Sequence, residues 1–142
     1  MKLKSLSGLL PSWQNGLLAL LSAVLLILAF PPFEWWFTGW FALVPLLWAV
    51  EREGSVRRSL VLGWAFGNVF FFGTCWWLTF APITYAGFPA PLAYLLLFGV
   101  TSAAAVFPAA FAVIIAYLLR RFGAVAFLAV PFVWGFSEFA RY

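Results

Sequence analysis

Residues 59–119 read SLVLGWAFGNVFFFGTCWWLTFAPITYAGFPAPLAYLLLFGVTSAAAVFPAAFAVIIAYLL, sixty-one residues without one charged side chain. As a single helix this stretch would run about 90 Å, and a membrane crossing needs only about 20 apolar residues. The chain must therefore fold back within it. The break lies at Ala81–Pro91, where Pro82, Pro89, Pro91 and Gly87 fall within eleven residues.

Working outward, residues 5–33, 35–50 and 122–137 are also uncharged. Together these gaps predict five membrane-crossing segments, at about 15–30, 36–50, 59–80, 91–119 and 123–142. Residues 1–14 precede them as a cytoplasmic N-terminal segment. Pro31-Pro32 ends the first span, and the second is short and carries Pro45. The fourth is long enough to need a kink, for which Pro108 is the candidate. All five read as helices, because an isolated strand leaves its backbone groups unsatisfied in lipid. The runs do not alternate apolar with polar residues, which argues against a β-barrel.

Composition points the same way. Of 142 residues, 66% are hydrophobic and 8% charged, with a mean hydropathy of +1.06. A soluble domain carries about a quarter charged residues, so this chain cannot cover a water-facing surface. The fold class read from the sequence is an all-α polytopic membrane protein. The segment from Gly16 to Phe30 is not followed by a small-x-small cleavage site, so it reads as a retained span rather than a signal peptide. With the N-terminus in the cytoplasm, Lys2, Lys4, Arg52, Arg57, Arg58, Arg120 and Arg121 all fall inside and only Arg141 outside. These cations are accounted for as topology signals and headgroup contacts, so the net charge of +4 calls for no nucleic-acid partner.

The chain has no His, no Asp and a single cysteine, Cys75. No intramolecular disulfide, Cys/His metal site or Ser-His-Asp device can be assembled from it. No catalytic, cofactor-binding or metal-binding residue is assigned. Cys75 lies in an uncharged run with no base to activate it, and reads as a small hydrophobe. Trp35, Trp36, Trp76 and Trp77, with Phe33, Phe37, Trp40 and Phe80, fall at the outer ends of the second and third spans. They read as a lipid-facing aromatic belt, or alternatively as a platform gripping lipid tails below an enzymatic site. Gly63-x-x-x-Gly67 has the spacing for close helix packing, within the chain or in a dimer. Glu138 and Arg141 share a helix face at i and i+3. They form either a structural ion pair or two side chains placed independently at the interface. Glu34 reads as a solvated loop charge.

Several stretches, taken in order, resemble one family. Leu28-Ala29-Phe30-Pro31-Pro32-Phe33 with Trp35-Trp36 comes first, then Ala42-Leu43-Val44-Pro45-Leu46-Leu47. Gly63-Trp64-Ala65-Phe66-Gly67, Phe71-Phe72-Gly73 and Trp76-Trp77-Leu78 follow, and Trp134 with Glu138-Phe139-Ala140-Arg141 closes the series. Over about residues 17–142 the chain resembles the N-terminal membrane portion of bacterial apolipoprotein N-acyltransferases. The resemblance implies a multi-pass protein of the bacterial cytoplasmic (inner) membrane, with membrane phospholipid as acyl donor and a diacylglyceryl apolipoprotein as acceptor. It further implies transfer through a Cys thioester, with a Glu base and a Lys at the oxyanion, in a nitrilase-like domain outside the membrane. No residue here matches those three, so the chain reads as a fragment that ends before the catalytic domain and is inactive alone. The competing reading is a small non-enzymatic polytopic membrane protein, a transporter subunit or assembly factor. The near absence of polar residues at the span centres disfavours it.

Overall fold

A computed structural model describes residues 10–141; Lys2 and Lys4 of the N-terminal segment, and Tyr142, lie outside the described residues. Every regular element among the described residues is helical. Helix α1 (Trp13–Leu28) starts where the Ser12 side chain accepts from the Asn15 N–H at 3.4 Å, and stops just short of Pro31-Pro32. Its buried face is Asn15, Ala19, Ser22 and Ala23, small residues at helical spacing that admit a neighbour closely. A 3-10 turn over Trp36–Trp40 leads to α2 (Val44–Glu53). Pro45 sits in the first turn of α2, where its missing N–H costs nothing, and Gly54 ends the helix in the left-handed conformation.

Helix α3 (Val56–Thr74) is the centre of the molecule and buries Leu62, Gly63, Phe66, Gly67, Phe70 and Phe71. At Cys75 the path bends by 61° into a short 3-10 turn and α4 (Phe80–Thr84). Helices α5 (Ala90–Ala104) and α6 (Val106–Phe122) follow, interrupted at Ala105. The interruption comes one turn before Pro108, which offers no N–H to the Ala104 carbonyl. After Gly123, with φ of 60°, a 3-10 segment over Gly123–Ala129 turns the chain into α7 (Val130–Arg141). Helix α7 folds back on α6, bringing Trp134 edge-on to Phe111 with ring centroids 5.2 Å apart.

By length and composition, the stretch Ala90–Arg141 suffices to cross a membrane. Val56–Thr74 with Trp76–Thr84 qualifies as a second if the bent pair is taken as one span. Helix α1 is apolar but shorter. Because lipid is as apolar as leucine, such helices associate through close packing rather than through the hydrophobic effect. The α3–α6 seam shows this: a Cβ on Gly63 would lie 2.5 Å from the Pro108 carbonyl oxygen and 2.7 Å from the Ala112 Cβ. At Gly67 it would lie 2.9 Å from the Pro108 Cγ. The Gly63/Gly67 face is thus occupied within the chain. Asn68 adds polar adhesion, its Oδ1 accepting from the Ser102 hydroxyl on α5 at 3.0 Å.

This packing gives the bundle two distinct ends. At one, Glu53 meets Ser12, Asn15 and Arg58, and the α2 terminus approaches Arg120 of α6. At the other, the carboxyl-terminal ends of α1, α3 and α7 converge, with Phe30 5.6 Å from Phe70 and the Arg141 guanidinium 5.0 Å from the centroid of the Phe71 ring.

Candidate functional site

The convergence of α1, α3 and α7 leaves an open cavity of about 350 Å³. Helix α7 contributes Trp134, Glu138 and Arg141, which at i, i+4 and i+7 form one stripe along the helix. Trp134 is fixed edge-on by Phe111 and by Phe66, the latter at 6.3 Å, so the base of the stripe is held by the core. Helix α3 supplies Phe70, Phe71 and Thr74, α1 supplies Leu26, and the turn after α1 supplies Phe30. The walls are therefore hydrocarbon and aromatic rings.

The polar lining residues, Thr74, Cys75, Glu138 and Arg141, fall at the carboxyl-terminal ends of α3 and α7. Arg141 donates to Glu138, and both side chains remain about one-third exposed. The guanidinium also lies over Phe71, which orients its fork while other N–H groups stay available to an anion. Thr74 donates to the Phe70 carbonyl at 2.8 Å, so its hydroxyl serves the end of α3. Cys75 lines the cavity half-buried, with the Thr74 hydroxyl 3.8 Å from its sulfur. No carboxylate, amine or guanidinium is hydrogen-bonded to the thiol among the described residues. The arrangement suits sequestration of a hydrocarbon chain whose polar end meets Arg141.

Of the residues singled out from the sequence, Glu138 and Arg141 are brought together here. Trp35, Trp36, Trp76 and Trp77 are not part of the cavity; all four stand more than half exposed beside it, on the loops that follow α1 and α3. Trp35 stacks on Phe37 with centroids 6.3 Å apart.

Sequence reasoning missed one polar cluster at the opposite end. The Glu53 side chain is 2% exposed and accepts from the Ser12 N–H at 2.6 Å, the Asn15 amide at 2.8 Å and Arg58 at 3.1 Å. Burial pushes the carboxyl pKa up, but the hydrogen bonds from Asn15, Ser12 and Arg58 outweigh it and hold the value below the ordinary range. The available signal was Ser12-x-x-Asn15 opening one helix and a Glu-Gly-x3-Arg turn between two others.

Comparison with known proteins is specific. The profile of the family described as apolipoprotein N-acyltransferase N-terminal domain matches residues 22–142. The chain is 32% identical over 131 residues to the apolipoprotein N-acyltransferase of Geobacter metallireducens, covering 90% of this chain and 24% of that protein. The Brucella suis protein of the same name is 32% identical over 145 residues, covering 94% and 26% respectively. That of Pasteurella multocida is 27% identical over 124 residues, covering 87% and 23%. The chain thus spans about a quarter of the length of the curated relatives it matches.

Proposed function

The chain belongs to the apolipoprotein N-acyltransferase N-terminal domain family, and on that premise we propose that it forms the membrane portion of an enzyme that moves an acyl chain from phospholipid to the N-terminal diacylglyceryl-cysteine of lipoproteins. It crosses the bacterial cytoplasmic membrane five times with its N-terminus inside. This orientation is supported by Arg52, Arg57, Arg58, Arg120 and Arg121, which cluster at one end of the bundle while Arg141 lies at the other. The cavity between α1, α3 and α7 then opens on the outer side.

The observation that carries the reading is that cavity. Its hydrocarbon walls accept an acyl chain, and Arg141 at the mouth receives the phosphate or ester end of the donor. Glu138 pairs with Arg141 and orients it. The exposed Trp35, Trp36, Trp76 and Trp77 hold this end at headgroup depth. The thioester chemistry uses a nucleophile, base and oxyanion donor supplied by parts of the enzyme outside these 142 residues, and Cys75 is not that nucleophile.

A chimera tests the proposal. Residues 22–142 replace the matching segment of the Geobacter metallireducens protein, and the readout is the mass increase of a diacylglyceryl lipopeptide incubated with phospholipid. The chimera should retain transfer, and Trp134→Ala within it should lower the rate at least tenfold, because the cavity wall is lost. A membrane-inserted, folded chimera without transfer overturns the reading, as does transfer by the 142-residue chain alone.

A further inference from the structure

At the end of the bundle opposite that cavity, a second groove of about 600 Å³ lies between α1 and α2 on the outside of the molecule. On α1 it is lined by Gln14, Leu17, Leu18 and Leu21, one stripe at i, i+3, i+4 and i+7; α2 adds Trp48 and Arg52 at i and i+4. The two helices run antiparallel, because Glu53 at the end of α2 is bonded to Ser12 and Asn15 at the start of α1. Gln14 and Arg52 therefore fall together at the basic end. Leu17, Leu18, Leu21 and Trp48 extend from them towards the middle of the bundle, and Gln14 to Leu21 spans about 10 Å of helix. Groove polarity is thus graded along the bundle axis, polar at the end and hydrocarbon below.

Arg52 is the distinctive group. Its guanidinium lies 5.7 Å from the Trp48 ring centroid, held over the groove by the ring face. The ion pairs among the described residues are Arg58 with Glu53 and Arg141 with Glu138, so no carboxylate lies within ion-pair distance of Arg52. Glu53, the nearest acid along the chain that faces the core, is already engaged by three donors. Arg57, Arg120 and Arg121 add further positive charge at the same end.

We propose that this groove binds one anionic phospholipid from the leaflet at the basic end, its phosphate on Arg52 and the Gln14 amide and an acyl chain along Leu17, Leu18 and Leu21. Charge selects the occupant: an apolar helix would cover the leucines but leave Arg52 without an anion, and a zwitterionic lipid brings a second cation towards Arg52. Its place at the far end from the cavity separates this lipid from the acyl donor, so it acts by seating α1 against α2 rather than as a substrate.

Native mass spectrometry of the protein released from detergent tests this, with phosphatidylglycerol or phosphatidylcholine of identical acyl chains at equal concentration. Phosphatidylglycerol should be retained about fivefold more than phosphatidylcholine, the preference one arginine gives near an anionic headgroup. Arg52→Gln should abolish that preference, while Arg120→Gln, outside the groove at the same end, should leave it intact. Leu17→Trp fills the groove and should displace the lipid with every charge still present. Equal loss with Arg120→Gln, unchanged retention in Leu17→Trp, or equal competition by glycerol phosphate alone would each overturn the proposal. So would a dimer that Leu17→Trp dissociates without any change in lipid retention.

Discussion

Replacing Gly63 by Ala adds one methyl group at the tightest point of the bundle. That methyl would lie 2.5 Å from the Pro108 carbonyl oxygen, 2.7 Å from the Ala112 Cβ and 2.8 Å from the Ala109 Cα. Two of these three atoms are backbone, so no side-chain rotation relieves the clash. Ordinary contact begins near 3.4 Å, so α3 and α6 must move apart by roughly 1 Å, and overpacking of this kind costs about 1–3 kcal/mol. The separation also draws Phe111 away from Trp134 and loosens the cavity wall. Gly99→Ala is the matched control, because nothing lies within 4 Å of its new methyl on α5. There the change should be neutral or stabilising by up to about 1 kcal/mol, since Ala is the better helix former. Reversible unfolding in mixed detergent, followed by tryptophan fluorescence, measures both. Ala112→Gly combined with Gly63→Ala should recover only part of the loss, because the Pro108 oxygen remains. A Gly63→Ala protein as stable as the parent would refute the reasoning that this seam is set by backbone contact.

A reporter fused after Val50 should behave as cytoplasmic and one placed in residues 82–90 as external; the reverse pattern would invert the proposed orientation. In the full enzyme, Glu138→Gln or Arg141→Gln alone should destabilise the fold more than the double change, because each single change leaves a partly buried charge without its partner. Small, additive effects in that cycle would mean that the two side chains act independently. Glu53 has a folded-state pKa below its ordinary value of 4.5, so its contribution is present above the unfolded pKa and disappears as pH falls through the folded one. Acid titration of stability should show that decline in the parent and a flatter profile in Glu53→Gln. The same variant should lose about 1–2 kcal/mol at neutral pH, because its amide oxygen still accepts from Ser12 and Asn15 but without the charge that strengthens those bonds; identical acid profiles would exclude Glu53 as the sensor.

What could be read without coordinates depended on residues that act on their immediate neighbours. The absence of charge over 59–119 demanded helices, since backbone groups in lipid must be satisfied within one segment. Pro31-Pro32, the Pro/Gly cluster at 82–91 and Pro108 mark breaks because a missing N–H disrupts only the turn preceding it. The alignment of Trp134, Glu138 and Arg141 on one face is likewise arithmetic at 3.6 residues per turn.

Tertiary structure alone decided which faces meet. The cavity needs Leu26, Phe71 and Trp134 at one point, residues separated by tens of positions in three helices. The engagement of Glu53 by Ser12 and Asn15 is equally remote, at sequence separations of 41 and 38. In water, buried and exposed faces of a helix differ in polarity, and the pattern announces the partner side. Here leucine and phenylalanine suit lipid and core alike, so hydropathy carries no such information. Partner choice passes instead to small residues that admit close approach and to a few polar groups that must find one another. Gly63 against Pro108, Asn68 against Ser102 and Glu53 against Asn15 are those contacts, and only the packed bundle brings them together.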